Sequence, residues 1–448
     1  MRIAVIGAGV AGLAAAHTLV KDGHQVVVYE AADFAGGLAS GFRDERWEWA
    51  LDRFYHHWFT SDDAVIKLID EIGQSDKLFF PRPITSIWHK GKAYPFDNYL
   101  RAMLYPHMSI LDKLRAGPVA IYLRMARNWR HLEQFTAHDW LKRWMGENGY
   151  RALFEPLLVG KFGEYYQEVN MAWFWARIHK RSYNLGYFVG GFQAFVDSLV
   201  DNLRQHGVEI RLGARVSGIR PLETDASDAA VGPRFTLDFE DGSSSSDMSY
   251  DRVIVTLSPG LLTRLVPGLP DDYLAGLKSL RSMGATVLIL ALKHPLTDGH
   301  YWINLPKDEG FPFLALVEHT NFIDAKHYGG DHLVYCGDYL KPDHENFDLT
   351  KEQMLVRFLP SLQRFNPEVT SDWVRRSWMY REKYAQPVPG INHSRNIPDF
   401  ATPIPGLYWA SMSQVYPWDR GTNYAVELGQ EVARRAANID QGWVEQSL

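Results

Sequence analysis

A single cysteine, Cys336, stands in a chain of 448 residues. That excludes an internal disulfide and a cysteine-built metal cluster, and it fits a reducing, cytoplasmic setting. The expected place of Cys336 is the packed core. No apolar run approaches the roughly 18 residues that would span a bilayer, and VLILAL at 287–292 has the length of a strand. The opening MRIAVIGAG lacks the basic segment, long apolar stretch and small-residue cleavage site of a secretory signal, so none is expected. An excess of cations is missing too: the formal net charge is -6, which argues against nucleic acid as a partner.

What the chain does have is apolar substance, 46% of its residues, and a length beyond what one core usually serves. Two interleaved domains are the natural expectation. Basic and apolar residues interleave over 99–130, where Arg101, Lys113, Arg115, Arg124, Arg127 and Arg130 stand against one acid, Asp112. An amphipathic surface helix accounts for this pattern, and it leaves peripheral membrane contact open.

The first thirty residues carry the clearest signal. RIAVI reads as a buried strand, Gly7-Ala-Gly9-Val-Ala-Gly12 as a tight turn, LAAAHTLVKDG as a helix, and HQVVVYE as a second strand ending at Glu30. Gly7 allows the turn, Gly9 lets backbone amides approach a pyrophosphate, and Gly12 lets helix and strand pack closely. The helix N-terminus favours the anion, and Glu30 stands where a carboxylate would accept hydrogen bonds from the adenosine ribose. A second glycine turn, Gly36-Gly37-Leu38, follows the second strand and would let a long dinucleotide lie across the sheet edge, which favours FAD. No second Gly-x-Gly-x-x-Gly occurs, so a separate nicotinamide site is not expected.

GAGVAGLAAAHTL and YEAADFAGGLAS resemble the FAD-binding start of the amine oxidase superfamily, which includes monoamine and polyamine oxidases, protoporphyrinogen oxidase, carotenoid desaturases and, more distantly, UDP-galactopyranose mutase. The resemblance implies an α/β fold. A Rossmann-type, glutathione reductase-like FAD-binding domain would be built from 1–85, 187–262 and 387–448, with an interleaved α+β substrate domain from 86–186 and 263–386. Residues 190–220 read as a helix and two strands, and the resemblance places Val216 beside the adenine. DRVIVTLSP, 251–259, is a buried strand ending in a turn, and the polar stretch between these two blocks reads as an exposed loop and hairpin. GLYWAS near the C-terminus is a strand, and Asn423 to Ala436 has helical spacing. Arg420, Gly421, Thr422 and Asn423 would then lie at a helix N-terminus able to stabilise negative charge on a reduced flavin.

Several departures from the family pattern are visible. Phe34 and Leu38 stand where many members carry arginines, and Met412 and Ser413 where an acid usually holds the ribityl chain. Val287 falls at the lysine near flavin N5 of monoamine oxidases, and Gly421 at one tyrosine of their aromatic cage. These make a simple amine substrate doubtful.

LDRFYHHWFTSD, 51–62, places two histidines side by side. Neighbours in an extended segment point to opposite faces and rarely share a metal ion, and no spaced His, Asp or Glu suggests a third ligand. No metal site is expected. The stretch resembles the part of the mutase-like relatives that passes along the flavin, with His56 at the flavin-facing histidine, polarising a ring carbonyl or shuttling a proton, and His57 packing on the other face. GKAYPFD, KFG and ARI recur in similar order in that branch, and Arg177 falls where a mutase arginine grips a substrate diphosphate. The paired tyrosines of that site are not seen.

The reading this supports is an FAD-dependent oxidoreductase taking a hydride from a substrate C–H to flavin N5. The substrate would be a small ring-containing or lipid-like molecule, since Trp173, Trp175, Tyr183 and Tyr187 could line a broad aromatic pocket, although core packing is the simpler use of most of them. A mutase-like isomerase of a nucleotide-sugar and a non-catalytic protein with structural FAD stay open beside it.

Overall fold

The computed structural model describes residues 1–222, 234–244 and 249–437. A five-stranded, all-parallel sheet runs in the order Glu209–Arg211, Gln25–Tyr29, Arg2–Ile6, Arg252–Val255 and Leu407–Trp409. Its strands read as continuous apolar runs because both faces are covered: Ile3, Ala4, Val5, Val253 and Ile254 have no solvent exposure. The first helix, Val10–Lys21, packs against the last, Thr422–Ala436, and against Phe192–Gln205. The first and last pieces of the chain therefore meet beside the same sheet.

A seven-stranded, mostly antiparallel sheet is ordered Val374–Pro387, Ser282–Leu292, His332–Leu340, Ala315–Glu318, His300–Asn304, Ile84–His89 and Lys92–Pro95. One pair, His300–Asn304 with Ile84–His89, is parallel. VLILAL lies within its longest central strand, paired on both sides, with Val287 opposite Gly337 and Tyr380. Cys336 is buried in the core beneath this sheet, as its lone occurrence suggested. A third cluster is helical, built around Met171–His179, where Trp173 and Trp175 are packed against Leu158, Phe162 and Leu123.

One sequence reading changes here. The hairpin expected in the polar stretch is present, since Phe235–Phe239 pairs antiparallel with Val216–Pro221, but it is not exposed: Phe235 and Leu237 are fully buried. Their apolar side chains had been outweighed by the polar residues around them; 223–233 and 245–248 of that stretch lie outside the described residues. Core packing, the simpler use expected for most of the aromatic candidates, is what three of the four show: Trp173, Trp175 and Tyr187 are each 2% exposed or less, and Tyr183 faces solvent.

Candidate functional site

The chain leaves its first strand through Gly7, whose φ of 107 a side chain would resist, and enters the first helix with Gly9 as N-cap and no side chain capping the end. A Cβ on Gly12 would lie 1.9 Å from the Gly7 carbonyl oxygen, so helix and turn meet backbone to backbone. A Cβ on Gly9 would meet nothing within 4 Å, so this glycine opens onto free space at the helix N-terminus. The second glycine turn is locked onto the first: the Gly36 N–H donates to the Ala8 carbonyl at 2.8 Å, and a Cβ on Gly37 would come 3.2 Å from Gly9 Cα. Glu30 accepts the Ala8 N–H at 2.8 Å and the Ala32 N–H at 2.9 Å through its two oxygens. The Ala214 N–H donates to the Glu30 carbonyl at 2.8 Å, which brings the strand beginning at Val216 to the same edge.

These features fit a dinucleotide. Uncapped N–H groups of the helix's first turn face the open space at Gly9, where an anion is favoured, and a fixed carboxylate stands at the end of the second strand. Phe34, at a position where many members of the resembled family carry an arginine, has one stacked on it: the Arg53 guanidinium lies 4.0 Å from its ring centroid, and Arg53 Nε donates to the Gly41 carbonyl at 3.3 Å.

Beside the second glycine turn a cleft opens against the seven-stranded sheet, with Leu38, Tyr55, His56, Val287, Tyr339 and Arg420 on its walls. His56 Nδ1 is 2.5 Å from the Phe54 carbonyl oxygen. A carbonyl only accepts, so Nδ1 carries the proton and Nε2 is left as an acceptor. Burial, helped by the charge of Arg420, lowers the pKa of His56 to about 4, and the ring is neutral at pH 7. Of the two roles expected for His56, polarising a carbonyl needs a donor that the neutral Nε2 lacks; accepting a proton does not. His57 turns toward Tyr301 and Trp302, whose ring centroids lie 6.5 and 6.2 Å away. It packs there, and its Nδ1 is buried with no hydrogen-bond partner among the described residues. Burial, then Arg181, lowers its pKa to about 3, with Arg177 acting in the same sense.

Arg177 belongs to a cluster that sequence reading did not assemble. Lys161 Nζ and Arg177 Nη1 each lie 2.5 Å from Asp419 Oδ2, and the Trp173 indole N–H donates to Oδ1 at 3.2 Å. Arg420, next in the chain, lies over the Tyr339 ring, donates to the Tyr339 hydroxyl, and donates from Nε to Gln386 Oε1 at 3.2 Å. Burial works to raise the Asp419 pKa, but Lys161 and Arg177 outweigh it and hold the carboxyl at about 2. Burial and then Arg177 pull Lys161 down to about 7, against the attraction of Asp419. Two cations thus share one carboxylate, while Arg420 is near enough to Lys161 and Arg177, and Arg181 to Arg177, for their charges to act on each other.

The residues after Arg420 divide by use. Gly421 caps the last helix, while the Thr422 hydroxyl accepts the Trp58 indole N–H at 2.5 Å and Asn423 Oδ1 accepts the Val65 N–H at 3.1 Å. The side chains of Thr422 and Asn423 are thereby committed to the protein, and the backbone of the helix N-terminus is what remains to face a ligand. Ser413 is committed too, to the Tyr384 hydroxyl at 2.5 Å.

The parallel sheet, the fingerprint turn and the cleft define a dinucleotide-binding protein of the Rossmann class. Residues 10–437 match the family model described as flavin containing amine oxidoreductase. The chain belongs to that family of FAD-dependent oxidoreductases, and FAD is its cofactor. It is 24% identical over 319 residues to a carotenoid phi-ring synthase of Streptomyces griseus, an alignment covering 62% of this chain and 57% of the relative. The chain spans less than two thirds of the length of the curated relatives it matches. Among solved structures it is similar to an oxidoreductase from Methanosarcina mazei, with TM-score 0.73 and 20% identity over 97% of this chain and 100% of the other. It is also similar to reduced UDP-galactopyranose mutase, with TM-score 0.72 and 17% identity over 98% and 96%. At these identities the structures speak for the fold alone.

Proposed function

We propose that this protein oxidises a small ring-containing or lipid-like molecule bearing an anionic group, transferring a hydride from a substrate C–H to the flavin. FAD when bound supplies the hydride acceptor. Gly7, Gly9, Gly12, Gly36 and Gly37 would hold its pyrophosphate end, Glu30 its ribose and Val216 its adenine. Leu38, Tyr55 and Val287 would give the cleft an apolar wall for the reacting carbon, and neutral His56 would accept a proton at Nε2. The observation that carries the anionic group is the clustering of Lys161, Arg177 and Arg420 around a single carboxylate, Asp419, which pairs with the first two and leaves the guanidinium of Arg420 with neutral partners only, Tyr339 and Gln386. Buried cations without matching anions are costly, and a substrate phosphate or carboxylate would supply the missing charge.

The test is the visible spectrum of the holoprotein, followed anaerobically during separate additions of candidate substrates with and without an anionic group. Bleaching of the flavin band by an anionic compound, and not by its neutral ester or amide, is the expected result. The same cluster also favours a second reading, a mutase-like isomerase of a nucleotide-sugar, which would turn over only after prior reduction of the flavin.

Arg177→Gln gives a separate expectation. The variant should keep its flavin content and melting temperature, because Asp419 still has Lys161 and Trp173, while KM for the anionic substrate rises at least about tenfold, the scale of one charge-assisted contact. Steady-state kinetics with an unchanged KM would remove Arg177 from the substrate site.

A further inference from the structure

Of the seventeen large apolar side chains that stand exposed among the described residues, nine fall between Leu100 and Met125. Eight of them lie on two helices, Tyr99–Met103 and Ile110–Met125, and the ninth, Leu104, is the C-cap of the first. In the longer one, Leu111, Leu114, Ile121 and Met125 recur at helical spacing on one face, between 57% and 73% exposed. Val119 and Leu123 on the opposite face are buried against the helix Met171–His179. The helix is therefore apolar on the side it buries and again on the side it shows to solvent. The first use is ordinary packing, but the second has no occupant among the described residues.

Charge indicates what would cover it. The whole chain is acidic, with a net charge of -6, yet residues 99–130 hold six basic residues against one acid. That acid, Asp112, is buried in a capping box with Ser109 and cannot offset the cations outside. Of the cations, Arg101 is paired with Asp97, while Arg115 and Arg127 are exposed beside the apolar stripe. Aliphatic side chains next to long basic ones match the boundary of an anionic bilayer, where the stripe enters the acyl region and the cations meet headgroups. No helix among the described residues is long and apolar enough to cross a membrane. Contact would thus be made along the surface.

We infer that the solvent-facing side of Tyr99–Met103 and Ile110–Met125 is a docking surface for an anionic lipid membrane. It adjoins the candidate site: Arg124 Nη1 donates to the Arg181 carbonyl at 2.9 Å, tying this helix to the segment that follows Arg177.

The experiment is co-sedimentation of the holoprotein with phosphatidylcholine vesicles and with vesicles containing about one-third phosphatidylglycerol. The comparison protein is a Leu111→Ser, Leu114→Ser, Ile121→Ser variant whose flavin content and thermal melt are checked first. Wild type should pellet with the anionic vesicles at least about tenfold more than with the neutral ones and be released by raised salt, and the variant should lose most of that binding. Absence of binding to anionic vesicles overturns the inference, as does binding that the serine substitutions leave intact. A wild-type dimer in sedimentation velocity that the variant dissociates, without vesicle binding, would assign the face to a second copy instead. If the triple variant fails to fold, Arg115→Glu with Arg127→Glu replaces it, and undiminished binding of that protein counts equally against the membrane.

Discussion

Gly9→Ala should yield a folded, colourless protein, and Gly12→Ala an unstable one. The two positions are three residues apart and differ in what a methyl group would meet. At Gly9 the added Cβ has no protein atom within 4 Å, and the backbone already has a φ of -69, which alanine adopts freely. Nothing in the apoprotein resists the change. The methyl group would instead fill the space at the helix N-terminus, where we place the pyrophosphate. Overpacking costs about 1–3 kcal/mol, or roughly five- to 150-fold in FAD affinity. At Gly12 the Cβ would sit 1.9 Å from the Gly7 oxygen and 3.0 Å from Thr256 Oγ1. The gain of about 1 kcal/mol in helix propensity from Gly to Ala is outweighed by a backbone clash that forces the first helix off its strand. Flavin absorbance of the purified proteins, calorimetric titration of the apoproteins with FAD, and thermal melts separate the effects. A Gly9→Ala protein that purifies fully loaded and yellow would mean that the pyrophosphate does not lie at this turn.

The same contrast shows why the fingerprint could be read from sequence. Glycines at 7, 9 and 12 answer to backbone geometry that is local and recurrent, so spacing alone carries the information. The continuous apolar runs of the parallel strands are equally direct, since a strand covered on both faces has no reason to alternate. Lys161 and Asp419 are a different case. They lie 258 residues apart in the chain and meet only because the helical block folds over the last strand and the turn after it. Nothing in KFG, or in Asp419 next to Arg420, indicates that the charged residue is buried or which partner it finds. Arg177 was reached only through resemblance, and the structure adds the carboxylate that holds it. His56 shows a third kind of limit. Its position beside the cleft followed from the motif, but its protonation depends on one hydrogen bond to Phe54 and on burial, and neither has a sequence signature. Phe235 and Leu237 fail for a simpler reason, that two buried residues inside a polar stretch do not shift its average.

Asp52→Asn should make the protein more stable than wild type at pH 8 and leave it close to wild type near pH 4. Asp52 closes a two-residue strand and is 1% exposed. Its Oδ2 accepts the Tyr187 hydroxyl at 3.1 Å and its Oδ1 the Phe192 N–H at 3.2 Å. No cation pairs with it among the described ion pairs, and its surroundings are Tyr187, Tyr301, Tyr328 and Tyr335. Burial pushes its pKa up to about 8, with those two hydrogen bonds pulling weakly the other way. An aspartate in the unfolded chain titrates near 4. Between these values the native state holds a proton that the unfolded state has released, so wild-type stability falls as pH rises from about 4 to about 8 and is flat on either side. The slope is at most about 1.4 kcal/mol per pH unit, which makes several kcal/mol over the window an upper bound. Asparagine reproduces the neutral acid, with an oxygen for the Phe192 N–H and an amide that can donate to the Tyr187 hydroxyl, and it has no charge to bury. The difference in melting temperature between variant and wild type should therefore grow by a few degrees from pH 5 to pH 8, at roughly 1 °C per kcal/mol for a chain of 448 residues. Other buried carboxyls titrate in both proteins and cancel in the difference. Parallel melting curves across that range would mean that Asp52 is already ionised in the native state, and that the tyrosine cluster solvates its charge as well as water does.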